Sequence, residues 1–467
     1  MSDAQEIKIE KLTTQPVARL VCEMAVPTIL TMLVSTFYNM ADTFFVGRIG
    51  TSASAAVGVV FALMAVIQAL GFTFGHGSGN YISRQLGKHQ TSDAAQMAAT
   101  AYFSAIIFGI VLMVSGLLFL EPLVTKLGAT ETIKPFAMEY TRYILLGAPF
   151  MLGSIVLNNQ LRFQGSASYG MVGMMTGAVL NIALDPILIF GFHMGVAGAA
   201  LATAVSQMVS MIILLFCASR EGNIRIRFCE FRPVGRLYKE IVRGGLPSLA
   251  RQGIFSVATI CLNLAAGPYG DAAIAAFSIV SRILNFASSA LIGFGQGFQP
   301  VCGFNYGAGL YQRVRQAFWF CVKTSFFFLV FLAVIGFVAA PHLVAFMRND
   351  PAVVEIGKMA LRMQCMTFPL FSWYTMSNMM LQTMGKAGKA TLLALARQGL
   401  FFIPCILVLA AAFGLLGLEL AQPAADLLSF LMAVPLTLTV LSELKNGEEK
   451  NEKTGQSKEL QCRTEDV

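Results

Sequence analysis

Charge is scarce in this sequence. Asp, Glu, Lys and Arg together make up 12% of 467 residues, against 56% hydrophobic, which is too little polar surface to cover a soluble globule of this length. Histidine is rarer still. His76, His89, His193 and His342 stand apart, mostly near the ends of apolar runs, so no imidazole cluster is offered to a metal. There is no G-x-x-x-x-G-K-[ST] loop, no H-E-x-x-H and no TVGYG, which argues against a P-loop ATPase, a membrane metalloprotease and a potassium channel. Cysteine is present but unorganised. Cys22, Cys217, Cys229, Cys261, Cys302, Cys321, Cys365, Cys405 and Cys462 are scattered singly without C-x-x-C spacing, and they read as small core residues rather than a disulfide framework. No nucleophile–base constellation is visible, so an enzyme is not expected and no cofactor is implied.

What the chain has in abundance is long apolar segments. At about 20 residues per crossing, they predict twelve spans at about 18–46, 53–77, 95–119, 137–160, 168–190, 196–217, 241–265, 273–298, 317–340, 355–381, 388–412 and 415–441. The expected fold is an all-α polytopic membrane protein. Pro27, Pro149, Pro247, Pro369 and Pro404 fall inside spans, where bent helices are tolerated because neighbours resatisfy the backbone. The net charge of +8 does not point to nucleic acid. Its basic residues gather in alternate connections, Arg84 and Lys88, Arg162, Arg220 to Arg243, Arg313 and Arg315, Lys386 and Lys389, as a topology signal does. Both termini are therefore expected in the cytoplasm of a multi-pass inner-membrane protein. Residues up to Val17 are polar and lack the apolar core of a signal peptide. The tail from Ser442 to Val467 mixes Lys with Glu and is expected to be disordered.

The chain repeats. An offset of 220 pairs Pro27 with Pro247, Gly50 with Gly270, Gly77 with Gly297, Gly87 with Gly307, Arg142 with Arg362, Pro149 with Pro369, Asn158 with Asn378 and Gly165 with Gly385. Six spans per repeat is an even number, so both halves enter the membrane in the same direction, as two pseudo-symmetric six-helix bundles. The division this gives is an N-terminal segment 1–17, an N-lobe 18–219, an inter-lobe linker 220–240, a C-lobe 241–441 and a tail 442–467. Two bundles with a cavity between them suit alternating access. At the same offset Asp42 meets Leu262, Asn181 meets Phe401, Asp185 meets Cys405 and Thr203 meets Pro423. The scaffold is duplicated and the ionisable residues are not, which assigns ion coupling to the N-lobe.

Asp185 lies inside Leu180-Asn181-Ile182-Ala183-Leu184-Asp185-Pro186, where an uncompensated charge costs roughly 3 kcal/mol on insertion scales. Asn181 is one turn earlier on the same face. Pro186 leaves the Ile182 carbonyl without its helical partner, so oxygen donors for a proton or a small cation converge. Tyr38, Asn39 and Asp42 form a polar stripe on the first span, and Phe44-Phe45-Val46 carries the apolar run past Asp42. The competing reading of Asp42 is a helix-end carboxylate among headgroups. Both acids fall in the outer halves of their spans and could meet, raising each other's proton affinity. Na⁺ could bind at Asp42, Asn181 and Asp185. Thr203 could add a hydroxyl and Asn158 a carboxamide, although Asn158 sits deeper than the acids; each alone is more often a helix-packing residue than a ligand.

In the second half, Arg251, Gln252, Arg282, Gln364, Arg397, Gln398 and Asp426 are the polar residues at membrane depth. An Arg397–Asp426 pair between neighbouring spans is one reading, and a substrate cavity lined by Arg251, Gln252, Gln364, Arg397, Gln398 and Asp426 is the other. Thirty-seven Phe and twenty-four Met would supply an adaptable binding surface in the cleft.

Pro27, the run Tyr38 to Gly47, Leu180 to Pro186 and Gly198-Ala199-Ala200-Leu201-Ala202-Thr203 together resemble the multidrug and toxic compound extrusion (MATE) family over all but the polar tail. Gln422-Pro423-Ala424-Ala425-Asp426 is similar to its bacterial drug-extrusion branch. The resemblance implies two six-helix lobes around a central cleft and antiport of organic cations against Na⁺ or H⁺, hence efflux of xenobiotics and antibiotics. It also implies an N-lobe cation site of Asp42, Asn158, Asn181, Asp185 and Thr203. Some relatives carry an acid in the seventh span. Ile241 to Ala265 has none, so their coupling mode does not carry over. A monomer in the bilayer is expected, with small organic cations as partners. The rival reading is a lipid-linked oligosaccharide flippase of the same architecture, which needs a basic central groove.

Overall fold

Apolar runs with no water around them must close their backbone hydrogen bonds internally, and the chain is helical accordingly. The structure, a computed structural model, describes the backbone of residues 3–465 and the side chains of 3–449 apart from residue 51. A short amphipathic α1 (Asp3–Thr14) precedes the N-lobe helices α2 (Val17–Gly47), α3 (Thr51–Gly87), α4 (Thr91–Leu118), α5 (Leu120–Lys126), α6 (Lys134–Phe163), α7 (Ala167–Pro186) and α8 (Gly195–Ala218). The C-lobe holds α9 (Gly235–Ala266), α10 (Asp271–Gly307), α11 (Tyr311–Met347), α12 (Pro351–Thr367), α13 (Leu370–Thr383), α14 (Ala387–Leu395), α15 (Phe402–Phe413) and α16 (Leu415–Glu465). Two π-helical turns, Ile187–Gly191 after α7 and Ala396–Phe401 between α14 and α15, complete the fifth and eleventh spans.

Eleven of these units are each long and apolar enough to cross a bilayer. The twelfth crossing is the pair α12–α13. Pro369 has no N–H with which to continue the ladder, and the chain breaks there into two helices too short to cross alone. Its counterpart Pro149 is absorbed inside α6. The duplication is otherwise close at the level of single bonds. Asn158 Nδ2 donates to the Gly170 carbonyl (3.0 Å) and Asn378 Nδ2 to the Ala390 carbonyl (2.7 Å), the same tie between corresponding helices of each lobe.

Two boundaries and two cysteines differ from the sequence-based reading. Residues 235–240, expected in the linker, are the first turns of α9, docked by Tyr238 Oη against Ser104 Oγ at 2.8 Å. Disorder was expected from Ser442 onward, but α16 continues to Glu465, held where it passes Ser442 by Glu443 to Lys386 and by Glu448 to Arg315 at 3.1 Å. Cys22 and Cys229 are exposed rather than core residues; Cys229 belongs to the linker turn and has no core to enter. Cys462 lies outside the described side chains.

The two lobes meet at the end of the bundle that carries the N-terminus. α3 lies against α9 and α10 against α2, so closely that backbones touch. A Cβ on Gly77 would overlap the Ile241 carbonyl, one on Gly307 the Arg84 carbonyl, and one on Gly87 the Phe304 carbonyl. Arg84 Nη1 reaches across to the Thr383 carbonyl at 2.6 Å. Farther along, side chains bridge the gap: Thr36 Oγ1 to Ser289 Oγ (3.2 Å) and Phe37 against Phe286 (5.7 Å between ring centroids). Gly77→Ala is therefore expected to force the seam apart and lower stability by about 1–3 kcal/mol, the usual cost of overpacking. Gly58→Ala, on the same helix with nothing within 4 Å, should be neutral or slightly stabilising. Thermal unfolding of the two variants side by side checks this.

α1 straps this closed end. Ile9 and Leu12 are buried. Lys8 Nζ donates to Ser166 Oγ (2.6 Å), the Gly222 carbonyl (2.8 Å) and Asn223 Oδ1 (2.7 Å) on the N-lobe side. On the C-lobe side Asn305 Nδ2 donates to the Leu12 carbonyl (3.1 Å) and Arg313 Nη2 to the Gln15 carbonyl (2.5 Å). Burial pushes the Lys8 ammonium down from 10.5 to about 8. Between those values the unfolded chain binds the extra proton, so the docking of α1 strengthens as pH rises through that window and is flat below it. Proteolytic cleavage within residues 3–14 should slow from pH 8 to pH 10 relative to a free peptide, and Lys8→Gln should abolish that dependence.

Candidate functional site: an oxygen-lined cavity in the N-lobe

The fifth span is distorted where its carboxylate sits. α7 ends at Pro186 and the chain continues through the π-helical turn Ile187–Gly191, because a ring nitrogen cannot donate to the preceding turn. Gly198 of α8 fits against the Leu188–Ile189 backbone of that turn, where a Cβ would come within 2.8 Å. Asp185 is fully buried on the side of α7 that faces into the bundle, and Asn181, one turn back, is buried beside it. Asn181 Nδ2 donates to Thr203 Oγ1 of α8 at 3.3 Å.

Four oxygens at this place are buried without a hydrogen-bond partner: Asp185 Oδ1 and Oδ2, Asn181 Oδ1, and Asp42 Oδ1 from α2. Asp42 and Asp185 are close enough to act on each other electrostatically, and both act on Tyr38 and on Tyr140 of α6. Buried polar atoms are nearly always satisfied, so a cluster of orphan acceptors marks a place where a donor or a cation belongs. Next to it opens a small cleft with room for about one water, lined by Ser35, Tyr38, Asn181, Thr203, Ser206, Gln207 and Ser210 among others. All the donor atoms are oxygens, which suits a proton or a hard cation and not a soft metal.

The structure thus brings Asp42, Asn181, Asp185, Thr203 and Tyr38 together. It separates two other residues. The Asn158 carboxamide is committed to Gly170, which is eleven residues, or about 16 Å of helix, before Asn181 on α7. Asn39 is exposed and turns its amide back onto the Ser35 carbonyl of its own helix at 2.7 Å. Residues that sequence reasoning missed are Tyr140, fully buried under the acids, and Ser206, Gln207 and Ser210, which extend Thr203 into a stripe on α8. Its i, i+3, i+4, i+7 spacing was a legible polar face on an otherwise apolar helix. Ser154 Oγ of α6 donates to Gln207 Oε1 at 2.7 Å and ties that stripe to the scaffold.

The MatE family model matches residues 27–187 and again 247–408, once in each lobe. The chain belongs to the MatE family. It is therefore a membrane transporter and not an enzyme, built as twelve helices in two lobes. Among its relatives, "Multidrug export protein MepA" of Staphylococcus saprophyticus is 28% identical over 436 residues, 93% of this chain and 96% of the relative. A crystal structure of MATE in complex with MaL6 superposes with a TM-score of 0.89 at 25% identity, covering 96% of this chain and all of that one. A Pyrococcus furiosus transporter of the MOP superfamily, described by a reversed polarity of its binding pocket that suggests a different function, superposes at 0.88 with 25% identity, covering 94% and 98%.

The C-lobe of this MatE chain carries no second copy of the cluster. Asp426 is buried and fully engaged: Arg397 Nε donates to Oδ1 at 2.7 Å, Arg397 Nη2 to Oδ2 at 3.5 Å and Gln422 Nε2 to Oδ1 at 2.8 Å. The π-helical turn Ala396–Phe401 presents Arg397 to that pair, and its guanidinium covers the Phe371 ring, 4.1 Å from the centroid. The Arg397–Asp426 pair read from the sequence is present in the structure. Gln252, Gln364 and Gln398 remain half-buried on three different spans. Arg251 is half-buried and Arg282 exposed, and neither has an acid partner among the described residues.

Proposed function

We propose that this chain is a multidrug efflux antiporter that exports small organic cations in exchange for H⁺ or Na⁺ taken up at Asp42 and Asp185. The observation that carries the reading is the set of orphan oxygens of Asp42, Asn181 and Asp185, gathered in one lobe and missing from its duplicate. Protonation or a bound cation satisfies them, and the neutralised site can pack its spans differently from the charged one. An ion that binds the two conformers unequally shifts the balance between them, and by reciprocity so does the drug. The seam closed at the N-terminal end corresponds to one of those conformers. Both termini lie on the cytoplasmic side of the inner membrane in this reading, so the closed seam faces inward. The chain works as a monomer, with H⁺ or Na⁺ as its coupling ion. The name of its MepA relative, a multidrug export protein, supports the substrate class.

Efflux of a fluorescent organic cation from proteoliposomes should depend on an imposed gradient. A pH gradient alone, a Na⁺ gradient alone, or either one drives it, and the outcome identifies the ion. Efflux that ignores both gradients would remove antiport from the proposal. The second reading, a flippase for lipid-linked oligosaccharides, is favoured by the unpaired Arg251 and Arg282; it requires translocation of a pyrophosphate-linked lipid and no ion gradient.

A further inference from the structure

The charge pattern places Arg162 in a connection at the membrane surface, whereas the structure buries it to 2% exposure. Its Nη2 donates to Asn159 Oδ1 at 2.6 Å. Its Nε and Nη1 are buried with no partner. The guanidinium lies over the Phe163 ring, 4.9 Å from the centroid, and that ring packs edge-on against His76 of α3 at 6.1 Å. His76 is itself buried and crosses the seam, its Nδ1 3.2 Å from Ser248 Oγ of α9. Ser248 also accepts from Gln382 Nε2 at 2.9 Å. Arg251 is the next residue on that face of α9, three positions beyond Ser248. Both arginines are within electrostatic reach of His76.

Arg162 and His76 thus meet through the Phe163 ring at the seam, with Arg251 one turn beyond Ser248 on α9, and no carboxylate acts on any of the three among the described residues. The acid nearest along α9, Glu240, is taken by Arg84 and Arg243, each at 3.5 Å. A buried cation is normally paired. We infer that Arg162, His76 and Arg251 form a binding site for a small monovalent anion, a halide or a carboxylate group, at the inter-lobe seam. Arg162 offers two unpartnered nitrogen donors, Nε and Nη1, and a guanidinium is well matched to an anion of this kind. This site is distinct from the N-lobe acids and opposite to them in charge. The anion is either free in solution or the acidic end of a zwitterionic substrate whose cationic end faces the N-lobe. The second source rests on the transporter reading above; the first does not.

The test uses the purified full chain in detergent, with chloride or acetate titrated against gluconate at constant ionic strength. A saturable rise in melting temperature of about 2–4 °C is expected, lost in Arg162→Gln and in Arg251→Gln. Should Arg162→Gln fail to fold, the half-buried Arg251→Gln carries the comparison. Export of a zwitterionic dye and of its methyl ester separates the sources. A fall of about tenfold in the acid-to-ester ratio on Arg251→Gln assigns the anion to the substrate, and an unchanged ratio with a lost thermal response assigns it to solution. Equal melting in all anions together with an unchanged ratio overturns the site and leaves water as the partner of Arg162. The thermal arm needs no transport, so a failed anion site and a failed transporter reading give different results.

Discussion

Asp185→Asn should cut gradient-driven export by about ten- to hundredfold, the range spanned by a typical coupling free energy, while leaving the protein folded. The asparagine has nearly the same shape, so packing among α2, α6, α7 and α8 is preserved. What changes is that the side chain can no longer exchange a proton or supply a full negative charge to a cation. Both carboxylate oxygens lack hydrogen-bond partners in the resting structure, so the fold does not depend on them. Burying a charge without a partner is unfavourable, and the substitution removes that cost, which predicts a melting temperature equal to or above the parent. This pairing of outcomes, transport lost and stability kept or gained, distinguishes a coupling residue from a structural one. Proteoliposome efflux and thermal unfolding on the same preparation measure both. Full gradient-driven export by the variant would dismiss Asp185 as the coupling site. Asp42→Asn is expected to behave in the same direction, because its buried oxygen is also without a partner.

The opposite pairing is expected at Asp426. Its two oxygens hold Arg397 and Gln422, and its side chain is only 4% exposed. Asp426→Leu leaves a guanidinium in an apolar setting beside Phe371 with no counter-charge, at a cost of about 3–5 kcal/mol. Arg397→Met combined with Asp426→Leu should recover most of that loss, since replacing both members of a buried pair by apolar groups is often close to neutral. A double-mutant cycle on unfolding free energies reads the coupling directly. Independent, additive losses would show that the pair is not the unit the structure depicts.

These contrasts explain what a reader of the bare sequence can and cannot extract. Acids in apolar runs are costly wherever they lie, so Asp42 and Asp185 attract notice before any fold is known, and the missing counterparts Leu262 and Cys405 assign them to one lobe. The same comparison bears on Asn158. It has a twin in Asn378, and both tie one helix to the next in the same way, which places Asn158 with the duplicated scaffold and not with the unduplicated site. Tyr140 escaped notice because a tyrosine within a span has no charge to hide and its hydroxyl needs no special account. Arg162 misled because a basic residue near a span end obeys the topology rule equally well whether its side chain faces headgroups or the seam.

The order of apolar and polar residues alone determined the helical class, the crossings and the six-plus-six duplication, because backbone satisfaction in hydrocarbon leaves a chain of this composition few alternatives. Which side chains share a chamber was decided by tertiary packing. Helix rotation, the Pro186 and Pro369 breaks and the glycine contacts at the seam set the angular position of each residue, so that Asn39, only about 60° around the helix from Asp42, is exposed while Asp42 is half-buried.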